Sequence, residues 1–216
     1  MNVTLANEEI ELLPEKAFYW KKESLLGFSD VHLGKAESLQ SYGIPVPSGS
    51  HHEDLKKISN LIEKTNAKKI VILGDFIHQK NSWTAELLND LKLFFKAHDH
   101  VEWILLIGNH ERGSISQLQQ LPFHIVENDL NIGPFLLTHG HTQDAAAKNF
   151  QIQGHVHPVV KLEQGSTRLR LPCFVVCENS LTLPSFGSLT GGYEMKPNPK
   201  QKVYAVTSSS VFFVPK

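Results

Sequence analysis

The segment KIVILGDF, residues 69–76, contains four consecutive apolar residues and then ends in a glycine and an aspartate before its final phenylalanine. An apolar run of this length that stops at a polar turn is typical of a strand buried on both faces. Two similar segments lie on either side of it, LLGFSDVH at residues 25–32 and EWILLIGNHE at residues 102–111. The sequence therefore predicts three buried strands, each followed directly by polar residues.

Helical patterns occupy the two intervals between these strands. Apolar residues recur there at helical spacing: Leu55, Ile58, Leu61 and Ile62 in the first interval, and Trp83, Leu87, Leu88, Leu91, Phe94 and Phe95 in the second. Ser82 precedes the second pattern and is the predicted N-cap of that helix. The order β-α-β-α-β implies parallel strands whose carboxyl ends lie at one edge of a sheet, where α/β proteins bind their ligands.

The second half of the chain has a different character. Segments 124–140, 150–162, 169–184 and 202–215 read as strands that are joined by Gly, Pro and Asn turns. The chain is therefore predicted to be a mixed α/β protein, with sheets in the middle and helices outside. Residues 34–52, GKAESLQSYGIPVPSGSHH, are predicted to form a long loop because they are rich in Gly, Pro and Ser.

Length and composition fit one folded unit. The chain has 216 residues, of which 41% are hydrophobic and 20% are charged, so we expect a single domain over residues 1–216 with a sizeable core. Its two cysteines, Cys173 and Cys177, lie four positions apart. Because a disulfide this local would constrain little of the chain, both are predicted to be reduced core residues.

Charge and hydropathy exclude several classes of protein. The net charge is −1, with 12 basic and 15 acidic residues in 1–108 and with 9 and 7 in 109–216, so bulk charge indicates no particular partner. A nucleic-acid site would have to be a local basic patch. The first residues, MNVTLANEEIELLPEK, have acids where a signal peptide needs an apolar segment, and the run WILLI is too short to cross a bilayer. We expect a soluble, cytoplasmic protein without membrane association.

The polar residues that follow the predicted strands are of the kind that bind divalent metals. Asp30 and His32 follow the first strand, Asp75 follows the second, and Asn109 and His110 follow the third. An aspartate after a strand is more often a helix cap or a turn former, so each position alone is weak evidence. Their recurrence after three successive strands, at one edge of one sheet, favours a metal site.

The segment LTHGHTQDAAAKNFQIQGHVHPVV, residues 137–160, adds two His-x-His pairs, His139 with His141 and His155 with His157. Residues i and i+2 of a strand point to the same face, so each pair is able to direct two imidazoles at one site. Imidazole is a common metal ligand, although histidine is also an ordinary surface or core residue. Five other histidines lie in predicted helices or loops and are expected on the surface: His51, His52, His98, His100 and His124.

These motifs resemble the signature of the calcineurin-like metallophosphoesterases, which runs D-x-H, GD, GNH, H and GHxH. The chain has DVH, GD, GNH, THGH and GHVH in that order, between residues 30 and 157. The resemblance implies the family's α/β fold of four layers, a mixed β-sandwich flanked by helices. It also implies a metal-dependent phosphoric ester hydrolase in which metal-bound hydroxide attacks phosphorus in line.

The resemblance further implies a dinuclear metal centre in which Asp75 bridges the two ions. The other implied ligands are Asp30, His32 and His157 for one ion, and Asn109, His139 and His155 for the other. A bridging carboxylate lowers the repulsion between two cations, and carboxylate with imidazole suits Mn²⁺, Fe or Zn²⁺ better than Ca²⁺. Two divalent ions, with Mn²⁺ as the first choice, are the expected cofactors.

His110 is expected to be catalytic beside Asp75, because in the family the histidine after the asparagine ligand is not itself a ligand. It would protonate the leaving oxygen or stabilise charge on the phosphoryl group. Family members usually have Asp at the next position, where this chain has Glu111.

His141 has no place in the signature and is expected to support the ligands. His78 lies just past Asp75 and is a candidate for contact with a substrate phosphate.

Three segments suggest a substrate: residues 32–55, GDFIHQK at 74–80, and PSFGSLTGGYEM at 184–195. They resemble the bacterial ligase-associated DNA damage response endonucleases of the PdeM type. This implies a DNA endonuclease or phosphodiesterase of DNA repair, with an ATP-dependent DNA ligase and a helicase as functional companions. DNA that is single-stranded, or has single-stranded parts, is the expected substrate. The candidate substrate-binding residues in the motif loops are Lys35, His78, Lys80 and Arg112.

Two alternatives stay open. A small-molecule phosphodiesterase or phosphatase on the same fold, acting on cyclic nucleotides or nucleotides, is favoured by the near-neutral charge. A non-catalytic scaffold that kept the fold is the third reading. The complete ligand set and His110 argue against it, since a scaffold has no need of them.

Overall fold

The fold is built on two β-sheets. The computed structural model describes residues 1–47, 49–140, 149–165, 167–196 and 198–215. The first sheet has seven strands in sequence order: β1 (Asn2–Leu5), β2 (Glu8–Leu12), β3 (Phe18–Trp20), β4 (Leu25–Phe28), β5 (Lys69–Leu73), β6 (Glu102–Leu106) and β7 (Phe123–Val126). Strands β1 to β4 pair antiparallel, and β4 to β7 pair parallel. The three parallel strands predicted from the sequence are β4, β5 and β6, so that prediction is confirmed.

The four described α-helices all lie within residues 35–118: α1 (Lys35–Ser41), α2 (Ser50–Thr65), α3 (Ala85–Ala97) and α4 (Ile115–Leu118). The helix α2 lies between β4 and β5, and α3 lies between β5 and β6, as the helical spacing predicts. The apolar residues of the first pattern are buried in α2, and Leu87, Leu91 and Phe95 are buried in α3. The alternation β-α-β-α-β is confirmed.

Two local predictions are wrong. Residues 34–52 do not form one long loop, because they contain α1 and the start of α2; Gly34 and Gly49, with φ of 77° and 80°, precede these helices as N-cap residues. The N-cap of α3 is Thr84, whose side-chain oxygen accepts the N–H of Leu87 at 3.1 Å. Ser82 is buried in a 3₁₀ turn instead. Ser and Thr are both good caps, so residue type alone does not locate the helix start.

The second sheet follows in the chain. Its strands are β8 (Leu130–Ile132), β9 (Phe135–Thr138), β10 (Phe150–Gln153), β11 (Pro158–Gln164), β12 (Thr167–Val176), β13 (Ser180–Thr182), β14 (Tyr193–Glu194), β15 (Lys202–Val206) and β16 (Val211–Val214). The order is β14-β11-β12-β13-β10-β9-β8, while β15 pairs with β12 and β16. Strands β9, β10 and β13 are parallel to one another, so this sheet is mixed.

Two hydrophobic clusters hold these layers together. Along β5, Ile70 and Ile72 belong to the cluster formed with the helices, whereas Val71 and Leu73 belong to the cluster formed with the second sheet. Successive side chains of a strand point to opposite faces, so β5 is buried on both. The result is an α/β sandwich in which helices cover one face of the first sheet and the second sheet covers the other. This agrees with the expected mixed β-sandwich with flanking helices.

The surface prediction for the five histidines is wrong for His51, which is only 3% exposed because the first turn of α2 faces α3. Within the described residues, no helix is long and apolar enough to cross a membrane. Both cysteines are free thiols, as predicted, but Cys173 alone is buried in the core, whereas Cys177 is half-buried.

Candidate metal centre

The loops that follow the parallel strands meet at the carboxyl edge of the first sheet. The N–H of Asp30 donates to the carbonyl of Gly74 at 3.1 Å, and the N–H of His32 donates to the carbonyl of Asp75 at 2.9 Å. A loop of the second sheet joins them, because the N–H of His155 donates to the Asp30 carboxylate at 3.0 Å. Backbone contacts therefore hold the predicted metal-binding residues of both halves together.

A first cluster consists of Asp30, His32 and His157, whose potential ligand atoms all lie within 4.8 Å of one another. Oδ1 of Asp30 is 3.0 Å from Nε2 of His157. Among the described residues, both ring nitrogens of His32, Oδ1 of Asp30 and Nε2 of His157 are buried without a hydrogen-bond partner. Buried polar atoms nearly always have a partner, so a group of facing imidazole nitrogens and a carboxylate oxygen, each able to offer a lone pair, fits a cation when it is left over in this way.

A second cluster consists of Asp75, His139 and His155, with Asn109 beside it. Nε2 of His139 lies 3.5 Å from Oδ2 of Asp75, 3.0 Å from Oδ1 of Asn109 and 3.2 Å from Nδ1 of His155. Nδ1 of His139 is 2.7 Å from the carbonyl of Leu73, which can only accept. In the neutral form of the ring the proton would be on Nδ1, and the lone pair on Nε2 would face other acceptors, an arrangement that fits a cation.

Asp75 belongs to the second cluster and also faces the first. Its Oδ2 is 3.8 Å from Nε2 of His32 in the first cluster and 3.5 Å from Nε2 of His139 in the second. Its Oδ1 accepts the N–H of His110 at 3.1 Å. The side chain is 2% exposed, so both oxygens are held in a position from which one carboxylate can serve both clusters.

Burial sets the protonation of the first cluster. It lowers the pKa of His32 to about 3, with smaller contributions from neighbouring charges, so the ring is neutral and able to act as a ligand. Burial opposes ionisation of Asp30, but the close approach of the His157 ring, the charge of His139 and a hydrogen bond from Ser29 together lower the pKa of Asp30. The cluster therefore offers a carboxylate and a neutral imidazole.

The backbone of the centre adopts an uncommon conformation. Five residues of the two clusters have positive φ values between 50° and 67°: Asp30, His32, Asp75, His155 and His157. This left-handed region is sparsely occupied by residues other than glycine and costs on the order of 1–3 kcal/mol in other contexts. Its repetition at the ends of several strands indicates that the fold holds these side chains at the edge against a local preference.

The carboxylate of Glu111 holds the backbone around Asp75 in place, a role that was not predicted from the sequence. Its buried carboxylate accepts N–H donors from Asp75 at 3.0 Å, Ile77 at 3.1 Å and Gly108 at 2.9 Å. Burial raises the pKa of Glu111 to about 8, with a contribution from Asp75, whereas the three N–H donors oppose the shift. A side chain at Gly108 would overlap the Asp75 carboxylate, so the approach requires glycine. The only sequence signal was Glu in place of the family's Asp.

His110 lies next to the two clusters. Its Nδ1 contacts the carbonyl of His78, its Nε2 is 3.8 Å from Oδ2 of Asp75, and its side chain is 33% exposed. The rings of His78 and His110 are stacked with centroids 5.5 Å apart, and His32 lies within 5.5 Å of both. Burial lowers the pKa of His78 to about 4, and Lys35 and His110 contribute. Lys35 is therefore close enough to the centre for its positive charge to oppose protonation of His78.

The remaining predicted residues lie at the rim. Lys80 begins one 3₁₀ turn, Lys80–Ser82, and Arg112 lies in another, Glu111–Gly113, and both side chains are exposed. His141 lies outside the described residues. Tyr193 was not among the predicted residues; it is 63% exposed, and its N–H donates to the carbonyl of His157 at 2.8 Å. The pair of glycines before it was the available signal.

The chain is similar to several known proteins. Residues 24–171 match the family model described as calcineurin-like phosphoesterase. The crystal structure of the nuclease MPE from Pseudomonas putida is 30% identical in sequence, with a TM-score of 0.85 over 99% of each chain. The phosphoesterase Yfce from E. coli is 18% identical, with a TM-score of 0.46 over 87% of this chain and 95% of that one. A search of curated proteins finds no match.

The family match covers more than half of the chain and includes both clusters, and the likeness to MPE extends over the whole chain. Families of this kind use divalent metals, and the described residues include the side chains that could bind them. The chain therefore belongs to the calcineurin-like phosphoesterase family and is a metal-dependent phosphoester hydrolase.

Proposed function

We propose that this chain is a DNA endonuclease or phosphodiesterase that acts in DNA repair. The observation that carries the proposal is that two clusters suited to cations flank one shared carboxylate, Asp75, in a chain 30% identical to a nuclease over 99% of both lengths. A likeness of that extent includes the surface around the clusters, where a substrate has to lie. Nucleic acid is therefore favoured over other phosphoesters.

The metal-binding residues are proposed to form one dinuclear centre with Asp75 as the bridge. The proposed ligands are Asp30, His32 and His157 for one ion, and Asn109, His139 and His155 for the other. Mn²⁺ is the first choice, with Fe or Zn²⁺ as alternatives, because the donors are imidazole nitrogens and oxygens without a thiolate. When bound, two such ions would polarise the phosphodiester and activate a water molecule for attack on phosphorus.

His110 is proposed to supply the proton or the positive charge that the reaction needs. Contact of its Nδ1 with a carbonyl oxygen favours a proton on that nitrogen, and Nε2, 3.8 Å from Oδ2 of Asp75, is then the atom directed towards the centre. A ring protonated at Nε2 would donate that proton to the leaving oxygen as the P–O bond breaks, or stabilise negative charge on the phosphoryl group. The stacked His78 ring supports the orientation of His110.

Substrate contacts are proposed for Lys35, His78, Lys80 and Arg112, and we add Tyr193. The His78 ring packs edge-on against His32, and the charge of Lys35 acts on His32, so the lysine would meet a phosphate next to the ions. Lys80 and Arg112 lie on the two 3₁₀ turns that follow β5 and β6. An exposed tyrosine held by the backbone of His157 would give an unpaired base a stacking face. Together these residues suit DNA that is single-stranded or has single-stranded parts.

The proposal has three further parts. Residues 1–216 would act as one phosphoesterase domain, the protein would be cytoplasmic, and an ATP-dependent DNA ligase and a helicase would be its functional companions. A small-molecule phosphodiesterase or phosphatase acting on cyclic nucleotides or nucleotides is the second candidate, favoured by the net charge of −1.

One comparison of substrates separates the two candidates. The chain loaded with Mn²⁺ is given single-stranded DNA, bis-p-nitrophenyl phosphate and cyclic nucleotides, and kcat/KM is measured for each. The nuclease proposal expects DNA cleavage with the highest kcat/KM. Efficient hydrolysis of a cyclic nucleotide without DNA cleavage would contradict it and favour the small-molecule enzyme.

A further inference from the structure

We propose that His51, His52 and Asp90 form a second divalent metal site, separate from the catalytic centre and held between α2 and α3. Nε2 of His51 is 3.0 Å from Oδ2 of Asp90, and Nε2 of His52 is 2.9 Å from the same oxygen. Three potential ligand atoms thus meet at one point. Neighbouring ligands of one cation are separated by about 3 Å when each ligand bond is about 2.0–2.1 Å long.

The surroundings of His51 favour a cation over a simple hydrogen bond. Its other ring nitrogen, Nδ1, is 3.6 Å from Oε1 of Glu37 on α1, and that nitrogen has no hydrogen-bond partner among the described residues. If Nε2 donated a proton to Asp90, the neutral ring would turn the lone pair of Nδ1 towards a second carboxylate. If Nε2 binds a metal instead, the proton is on Nδ1 and faces Glu37.

This second arrangement is the one in which metal-binding histidines are usually found, with the free N–H directed at a carboxylate. Oε2 of Glu37 is also buried without a hydrogen-bond partner among the described residues. The carboxylate is therefore available to orient His51. We call the four residues His51, His52, Asp90 and Glu37 the helix cluster.

Charge and exposure define the kind of ion. The positive end of the α2 dipole opposes any cation in its first turn, and the carboxylates of Asp90 and Glu37 counter it with two negative charges. Two imidazoles and one carboxylate suit Zn²⁺ or a similar transition metal rather than Mg²⁺ or Ca²⁺. The His52 side chain is 57% exposed, so water can complete the coordination. The ion would join α1, α2 and α3.

The test measures Zn²⁺ binding to the full chain by equilibrium dialysis, with and without His52→Ala. His52 is exposed, so its removal should leave packing intact, which circular dichroism verifies. The matched control is His124→Ala, an exposed histidine on β7. We expect His52→Ala to bind one equivalent of Zn²⁺ less than the wild type and His124→Ala to bind the same amount. Equal binding by all three chains would overturn the proposal and leave a hydrogen-bonded contact between helices.

Two more variants keep the test decisive. Asp90→Asn retains the shape of the side chain but loses the ligand charge, and it should also lose one equivalent of Zn²⁺. Glu37→Ala removes the residue that orients His51 and should weaken this site about 10- to 100-fold. Because the helix cluster shares no residue with the catalytic centre, these losses should occur without loss of the ions that Asp75 is proposed to hold. Loss of all bound metal in Asp90→Asn would contradict a separate site.

Discussion

The two clusters at the strand ends and the helix cluster use the same side chains, carboxylates and imidazoles, but they are assembled in different ways. At the strand ends, parallel pairing of β4, β5 and β6 brings the residues together, and a layer of backbone hydrogen bonds holds them. In the helix cluster, side chains 38 and 39 positions apart meet only because α2 packs on α3. A site built on sheet topology can therefore be read from the sequence, whereas one built on helix packing cannot.

Substitution of Asp75 tests whether the strand-end site and the helix cluster bind metal independently, and it has the largest expected effect. We predict that Asp75→Asn abolishes turnover and removes both catalytic ions, because a neutral amide is a poor bridge between two dications. The helix cluster should keep its ion. Metal analysis of the purified variant together with a hydrolysis assay measures both results. Full retention of two catalytic ions would remove Asp75 from the bridging role.

His110→Asn should separate metal binding from catalysis within the strand-end site. We predict that kcat falls at least ~10²-fold while all ions stay bound, since His110 is proposed to act on the substrate rather than on a metal. The loss should be smaller for an ester with a good leaving group if His110 donates a proton. Equal losses for good and poor leaving groups would favour charge stabilisation alone, and a loss of metal would make His110 a ligand.

Substitution of Glu111 tests how much the backbone hydrogen bonds of the strand-end site contribute to stability. The helix cluster has no comparable described support. Removing the carboxylate in Glu111→Ala leaves the buried N–H groups of Asp75, Ile77 and Gly108 without their acceptor. Each such group costs about 1–3 kcal/mol, so we expect the free energy of unfolding to fall by several kcal/mol. Urea unfolding measures it. Glu111→Gln keeps one acceptor oxygen and should lose less; an unaltered midpoint in Glu111→Ala would refute the supporting role.

These contrasts explain how much could be predicted. The parallel strands and the placement of Asp30, His32 and Asp75 at one edge were predictable, because an apolar run followed by a polar turn defines both a strand and its end. The role of Glu111 was not, since a buried carboxylate that accepts three backbone donors has no local sequence pattern. His51 was assigned to the surface for a related reason: its burial depends on α3, which lies more than thirty residues later.

Lys35 lies between the helix cluster and the strand-end site. It begins α1, the helix that carries Glu37, and its charge acts on His32. If single-stranded DNA crosses the metal centre, each lysine or arginine that neutralises a phosphate contributes about 0.7 to the slope of log affinity against log salt. We therefore predict that Lys35→Ala and Arg112→Ala each weaken DNA binding and flatten this slope by roughly one contact.

The matched control for these two variants is Lys96→Ala, at the carboxyl end of α3, because that helix end leads into the opposite edge of the sheet. It makes the same change in charge and should leave the slope unchanged. Salt titrations of DNA binding by the three variants measure the difference, and the loss of DNA affinity should exceed any loss in hydrolysis of a small phosphodiester. If instead the slopes of all three match the wild type while small-ester activity falls in Lys35→Ala, Lys35 acts on the reaction itself, and the small-molecule phosphodiesterase becomes the better account of this centre.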